Sequence, residues 1–129
     1  MLRIIKLIAM NNTTIFIIIG SVLVVALLCA IVFRKTYKET HYEGTEIIKT
    51  KSVVNKEGEK NGKEILYDRD GKKNKVSHWV NGVREGDFTV YWSNGKPYIK
   101  GTYRNGKLWG HYIVYDKTGK KIVFEKDYN

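Results

Sequence analysis

The residues able to do chemistry are few and scattered. Three histidines, His41, His78 and His111, stand far apart, two of them inside segments with strand character. A lone strand histidine is more often solvated or hydrogen-bonded than a base or a ligand. The only cysteine, Cys29, lies within an apolar run, so neither a disulfide framework nor a cysteine-rich metal site can form within the chain. Asp68-Arg69-Asp70-Gly71 has the spacing of a fragment of a calcium loop, but the downstream glutamate is missing. Asp116 recurs in the place of Asp68 and Asn94 in that of Asp70, which marks them as turn residues. There is no serine or cysteine nucleophile motif and no phosphate-binding glycine loop. The expectation is a protein that is not an enzyme, with no catalytic, cofactor or metal residues.

The elements that would carry such residues are more informative. Ile15 to Phe33 is a run of nineteen residues without a charge, fourteen of them Ile, Leu, Val or Phe. As a helix it would reach about 28 Å, close to the roughly 30 Å hydrocarbon core of a bilayer. Small residues at a cleavage position are missing, and Leu28 rather than a small residue precedes Cys29, so an uncleaved anchor is expected. Arg3 and Lys6 flank the run on one side, while Arg34, Lys35 and Lys38 follow on the other. That bias places the C-terminal domain in the cytoplasm, on the inner or plasma membrane; a start at Met10 would strengthen it.

Beyond the run the strongest signal is a repeat. Tyr67, Trp79, Tyr91, Tyr103 and Tyr115 are twelve residues apart, and Gly58, Gly71, Gly82, Gly95, Gly106 and Gly119 alternate in steps of 13 and 11. Gly62, Gly86 and Gly110 recur every 24 residues. The unit is therefore 24 residues in two halves, each long enough for a strand of about six or seven residues and a turn. Segments such as Glu64 to Tyr67 and Phe88 to Tyr91 are β-branched and aromatic, and the glycines supply the positive φ of tight hairpins. Pro97 falls at the start of a strand, where a missing N–H is tolerated. The fold class expected is mainly β: one transmembrane helix, then an antiparallel β-hairpin meander. The divisions are an N-terminal tail (1–14), the membrane helix (15–33), a juxtamembrane linker (34–46) and the repeat domain (47–129). Residues 38–61 partly fit one more, degenerate unit, a cap for the array, and Glu125, Lys126 and Asp127 would guard its far edge.

Tyr91-Trp92-Ser93-Asn94-Gly95-Lys96, Tyr103-Arg104-Asn105-Gly106-Lys107-Leu108-Trp109-Gly110 and Trp79-Val80-Asn81-Gly82-Val83-Arg84-Glu85-Gly86 hold register with one another. In these pieces the chain resembles the bacterial MORN-repeat variant family, which includes antitoxin proteins of the YwqK type. The resemblance covers about Gly58 to Val123, with a longer two-part spacing than the classical repeat and with an added anchor. It implies an extended hairpin sheet that binds other proteins, and membrane lipid in some cases; it carries no catalytic residues.

The net charge of +10 comes from 23 Lys and Arg against 13 Asp and Glu. These cations are spread through turns, which makes nucleic acid an unlikely partner and leaves anionic lipid as the alternative. The first expectation is a membrane-held protein-binding module, as an antitoxin or immunity partner of a toxin or an accessory subunit of a membrane complex. Periodic aromatics most often form the core stripe of a repeat, so the recurring aromatics and turn glycines are assigned to structure. Trp92 and Trp109 stand outside the series, where sister copies carry Asp68, Asp116 and Glu85, and are expected to contact the partner.

Overall fold

The computed structural model describes residues 12–32 and 34–129, with helix side chains described over 16–31. The chain divides into two compact units at Arg34/Lys35. In the first, α1 (Asn12–Val32) begins three residues earlier than the apolar run predicts. Arg3, Lys6 and Met10 lie outside the described residues. Among the described residues no helix is long and apolar enough to cross a membrane. The described side chains of α1 cover only 16–31, about 24 Å at 1.5 Å per residue.

The second unit is one antiparallel sheet: β1 (Thr36–His41), β2 (Ile48–Val54), β3 (Lys60–Tyr67), β4 (Lys73–Val80), β5 (Val83–Arg84), β6 (Gly86–Tyr91), β7 (Pro97–Arg104), β8 (Lys107–Tyr115) and β9 (Ile122–Tyr128). The spatial order is β1-β2-β3-β4-β6-β7-β8-β9, with β5 paired to β4 beside this path. It is the meander that the twelve-residue spacing predicts, with Pro97 opening β7. The segment 34–46 is not wholly a linker: β1 takes six of its thirteen residues and pairs with β2 from Thr36↔Val54 to His41↔Ile48. Its turn still has a tyrosine and a positive-φ glycine, Tyr42 and Gly44, but out of the repeat's register.

Two turn types explain the alternating glycine steps. Asn81-Gly82 and Asn105-Gly106 have positive φ at both residues, 45° and 79°, then 50° and 78°. These are the two-residue turns whose twist matches a hairpin. At the other end of the strands, Gly95 N–H donates to the Trp92 carbonyl and Trp92 N–H to the Lys96 carbonyl, both at 2.8 Å. Equivalent turns start at Asp68 and Asp116, and each is preceded by a register shift, after Leu66, Val90 and Val114. One bulged turn and one tight turn per unit give the steps of 11 and 13 from Gly71 to Gly119; Gly58 departs from this, lying in a turn of the bulged pattern that starts at Asn55.

Antiparallel partners share a sheet face, so the register assigns every strand side chain. Buried residues form a single row across the strands: Ser52, Glu64, Ser77, Phe88 and Gly101. Ser52 faces Glu64, Glu64 faces Ser77 and Phe88 faces Gly101. Phe88 is the only buried hydrophobic side chain among the described residues. The twelve-residue aromatic series is not the core stripe expected of it. Tyr67, Tyr91 and Tyr115 sit by the bulged turns, Trp79 and Tyr103 by the tight turns, and all are half-buried rows flanking the centre.

Candidate interaction surface

The first face, which carries the buried row, changes character along the sheet. Around β2 to β4 it is polar and centred on Glu64. One carboxylate oxygen accepts from Ser52 Oγ at 3.3 Å and from Lys60 Nζ; the other accepts from Ser77 Oγ at 3.3 Å and Trp79 Nε1 at 2.9 Å. Burial acts to raise the Glu64 pKa, but the bond and charge of Lys60, with Trp79 and Ser52, outweigh it, so the group is held below its usual range. From β6 onward the same position is aromatic: Phe88 and Tyr112 follow Glu64 at intervals of 24. Phe88 lies 4.7 Å from Tyr103, and Tyr112 contacts Phe124 and Tyr128 edge-on at 6.4 and 5.9 Å.

Gly101 lets this half close up. A Cβ there would stand 2.8 Å from Phe88 Cε1 and 3.2 Å from Tyr112 Cδ2. Cations thread between the rings: Lys60 and Arg84 lie over Trp79 at 4.5 and 5.1 Å, Arg84 also over Tyr103, and Lys75 over Phe88 at 5.2 Å. Burial lowers the Lys75 pKa, with repulsion from Arg84 adding to it.

The two tryptophans outside the series differ. Trp92 stacks on Tyr98 at 3.9 Å, and its Nε1 donates to the Asp116 carbonyl at 2.9 Å, tying one bulged turn to the next. Asn94 repeats the device, donating to the Lys117 carbonyl at 2.8 Å. Trp109, by contrast, is 43% exposed, with the Arg104 guanidinium 4.9 Å from its ring. Its register with Thr102 places it on the second face, at the tight-turn end, where Val80 and Val83 are also about half exposed. Of the two residues expected to contact a partner, Trp109 is therefore available and Trp92 is engaged internally.

The histidines and turn carboxylates do different work. His78 Nδ1 meets the Asp87 carbonyl at 2.9 Å. His111 lies between Asp127 (Nδ1, 2.8 Å) and Glu125 (Nε2, 3.4 Å) across the β8–β9 pairing. The hydrogen bond to Asp127 raises the His111 pKa, against the opposing effect of desolvation, with both carboxylate charges adding. Asp68 accepts from the backbone N–H groups of Asp70 and Lys72 in its own turn, and Asp116 from that of Thr118. Among the described residues no group of His, Cys, Asp or Glu is placed to hold a metal ion.

Compared with family models, with curated proteins and with solved structures, the chain matches none. What stands out is an open, single-layer sheet whose second face exposes Trp109, Val80 and Val83 at its tight-turn end. Glu64 was missed from sequence, although a signal exists: a carboxylate in register with Phe88 and Tyr112.

Proposed function

We propose that this chain is a membrane-anchored, non-catalytic repeat protein of the MORN-like type, whose sheet binds a protein partner at the patch of Trp109, Val80 and Val83. The carrying observation is that patch. An exposed tryptophan backed by Arg104, on the face and strand end where Val80 and Val83 are also exposed, has the composition of an interface anchor, not of a solvated turn. An accessory subunit of a membrane complex and an immunity or antitoxin-like partner both fit such a surface. For the anchor, α1 runs 21 residues, about 31 Å, and its side chains from Phe16 to Ile31, apart from Ser21, are apolar and exposed on every side. A helix apolar all round needs either a large core or lipid to cover it. Arg34, Lys35 and Lys38 follow it, which favours a cytoplasmic sheet.

The test is site-specific photo-crosslinking of the full chain in its native membrane. A photoreactive residue at Trp109 should trap a discrete adduct that the same residue at Lys56, in an opposite-end unit, does not. Equal labelling at both positions, or at neither, refutes the patch. Alkaline carbonate should leave the full chain in the membrane pellet, and extraction refutes the anchor. Lys107→Cys should resist an impermeant thiol reagent in intact cells if the sheet is cytoplasmic. Binding of the sheet to anionic liposomes that collapses with salt, with no adduct at Trp109, would favour lipid instead.

A further inference from the structure

The outer edge of β9 carries apolar side chains and no neighbouring strand among the described residues. Ile122, Val123 and Phe124 are 45–57% exposed, which natural edge strands usually avoid because the unpaired backbone groups beside them template another strand. Of the charges that follow, Lys126 lies over the Tyr128 ring of its own strand at 4.9 Å. Glu125 and Asp127 are drawn back onto His111 of β8, on the sheet's own second face. At the opposite edge, β1 is a polar strand with Lys38 and Glu39 at its centre, Glu39 being paired with Lys51 at 2.8 Å.

We infer that two copies of this chain join through their β9 edges, antiparallel about a two-fold axis normal to the sheet, with Phe124 facing Phe124. The register follows from charge. A two-fold axis normal to the sheet sets each residue opposite one on the same face, so it must pass midway between a residue and its own copy. Keeping five or more residues of Ile122–Tyr128 paired leaves three centres: Phe124, Glu125 and Lys126. Centring on Glu125 opposes two carboxylates, and centring on Lys126 opposes two ammonium groups, both destabilising across strands. Centring on Phe124 opposes no like charges. It sets Val123 against Glu125, Ile122 against Lys126, and Lys121 against Asp127 in two symmetric copies. Phe124 lies on the first face beside Tyr112, so the two aromatic halves would become one continuous stripe across the junction.

The experiment uses the full chain with Cys29→Ser, so that each added cysteine is the only thiol. Directly opposed residues of an antiparallel ladder have Cα atoms about 4.5–5.5 Å apart, within disulfide reach. Phe124→Cys should therefore form a disulfide-linked dimer under mild oxidation. Glu125→Cys and Lys126→Cys should not, since their copies are displaced along the strand by about 7 and 14 Å in this register. Light scattering in detergent should give a protein mass twice 15.0 kDa for the wild-type chain. Lys121→Glu should lower that mass toward the monomer, and adding Asp127→Lys should restore it, which keeps the test informative if Phe124→Cys folds poorly. A wild-type monomer, a disulfide formed by Glu125→Cys but not by Phe124→Cys, or a failure of the double swap to restore the dimer would each overturn the proposal.

Discussion

Replacing Glu64 by alanine removes one carboxylate from a place where four donors converge on it. Trp79 Nε1, Ser52 Oγ and Ser77 Oγ would be left facing a small void in the most buried row of the sheet, and Lys60 would lose its counter-ion. Breaking a buried ion pair by deleting one member costs about 3–5 kcal/mol. Lys60 is 42% exposed and rehydrates, and the two hydroxyls can turn toward water, so the cost falls to the bottom of that range or just below it: about 2–3 kcal/mol. Glu64→Gln keeps the shape but aims an amide NH2 at donors, and should cost about 1–2 kcal/mol. Glu64→Phe copies the next unit but collides with Ser77, because Phe88 is accommodated only by Gly101. Adding Ser77→Gly should therefore recover part of the loss. The measurement is the urea midpoint of the sheet unit from Lys35 onward.

Acidity gives an independent readout of the same group. The Glu64 pKa is lower in the folded chain than its ordinary value, so its stabilisation is present above that ordinary value. It is lost as pH falls through the folded pKa. The wild-type midpoint should drop with acid below about pH 4.5, and Glu64→Gln should flatten that part of the profile. An alanine variant with an unchanged midpoint, or a glutamine variant whose acid profile parallels the wild type, would refute the account of this row.

Two other predictions concern turns and tryptophans. Gly106→Val forces a β-branched residue to φ 78° beside Asn105 at 50° and should cost about 1–3 kcal/mol, whereas Gly101→Ala should cost a similar amount through contact with Phe88 rather than strain. Trp92→Ala should lower the stability read from urea unfolding by about 1–3 kcal/mol through lost stacking and the bond to Asp116, while Trp109→Ala should cost under about 1 kcal/mol and abolish the crosslinked adduct. A reversed order for the two tryptophans would exchange their roles.

The hairpin frame was legible because turns impose hard backbone conditions that few residues meet. Glycine at φ near 78° leaves a mark in any sequence, and its alternating spacing encodes two turn types even before they are distinguished. The centre of the sheet leaves no comparable mark. Its position is set by the middle of each strand, where Ser52, Glu64, Ser77, Phe88 and Gly101 share one row but no chemistry. The tyrosine series drew attention because it is regular, yet only Trp79 and Tyr103 share the row's face, while Tyr67, Tyr91 and Tyr115, three residues on from Glu64, Phe88 and Tyr112, lie on the other. Trp92 looked dispensable to the fold for a related reason: its partner is the backbone carbonyl of Asp116, 24 residues on, and a side chain that bonds to backbone leaves no matching residue type behind.

That the core row is half polar and half aromatic follows from a single-layer sheet having no second layer to bury it. Each row position must be shielded by its neighbours' side chains, and two solutions recur 24 residues apart. At Glu64 shielding comes from Lys60 and Trp79, whose long side chains bring donors to the carboxylate while their apolar parts exclude water. At Phe88 it comes from Tyr103 and Tyr112 closing over the vacancy that Gly101 leaves. The two solutions are not exchangeable one residue at a time, since an aromatic needs the glycine opposite and a carboxylate needs the serine. A unit transplanted whole, with residues 86–109 put in place of 62–85, should keep its own packing, whereas Glu64→Phe alone should not. If the whole-unit chimera were as unstable as the single substitution, shielding would depend on position in the array rather than on the row's own pairs.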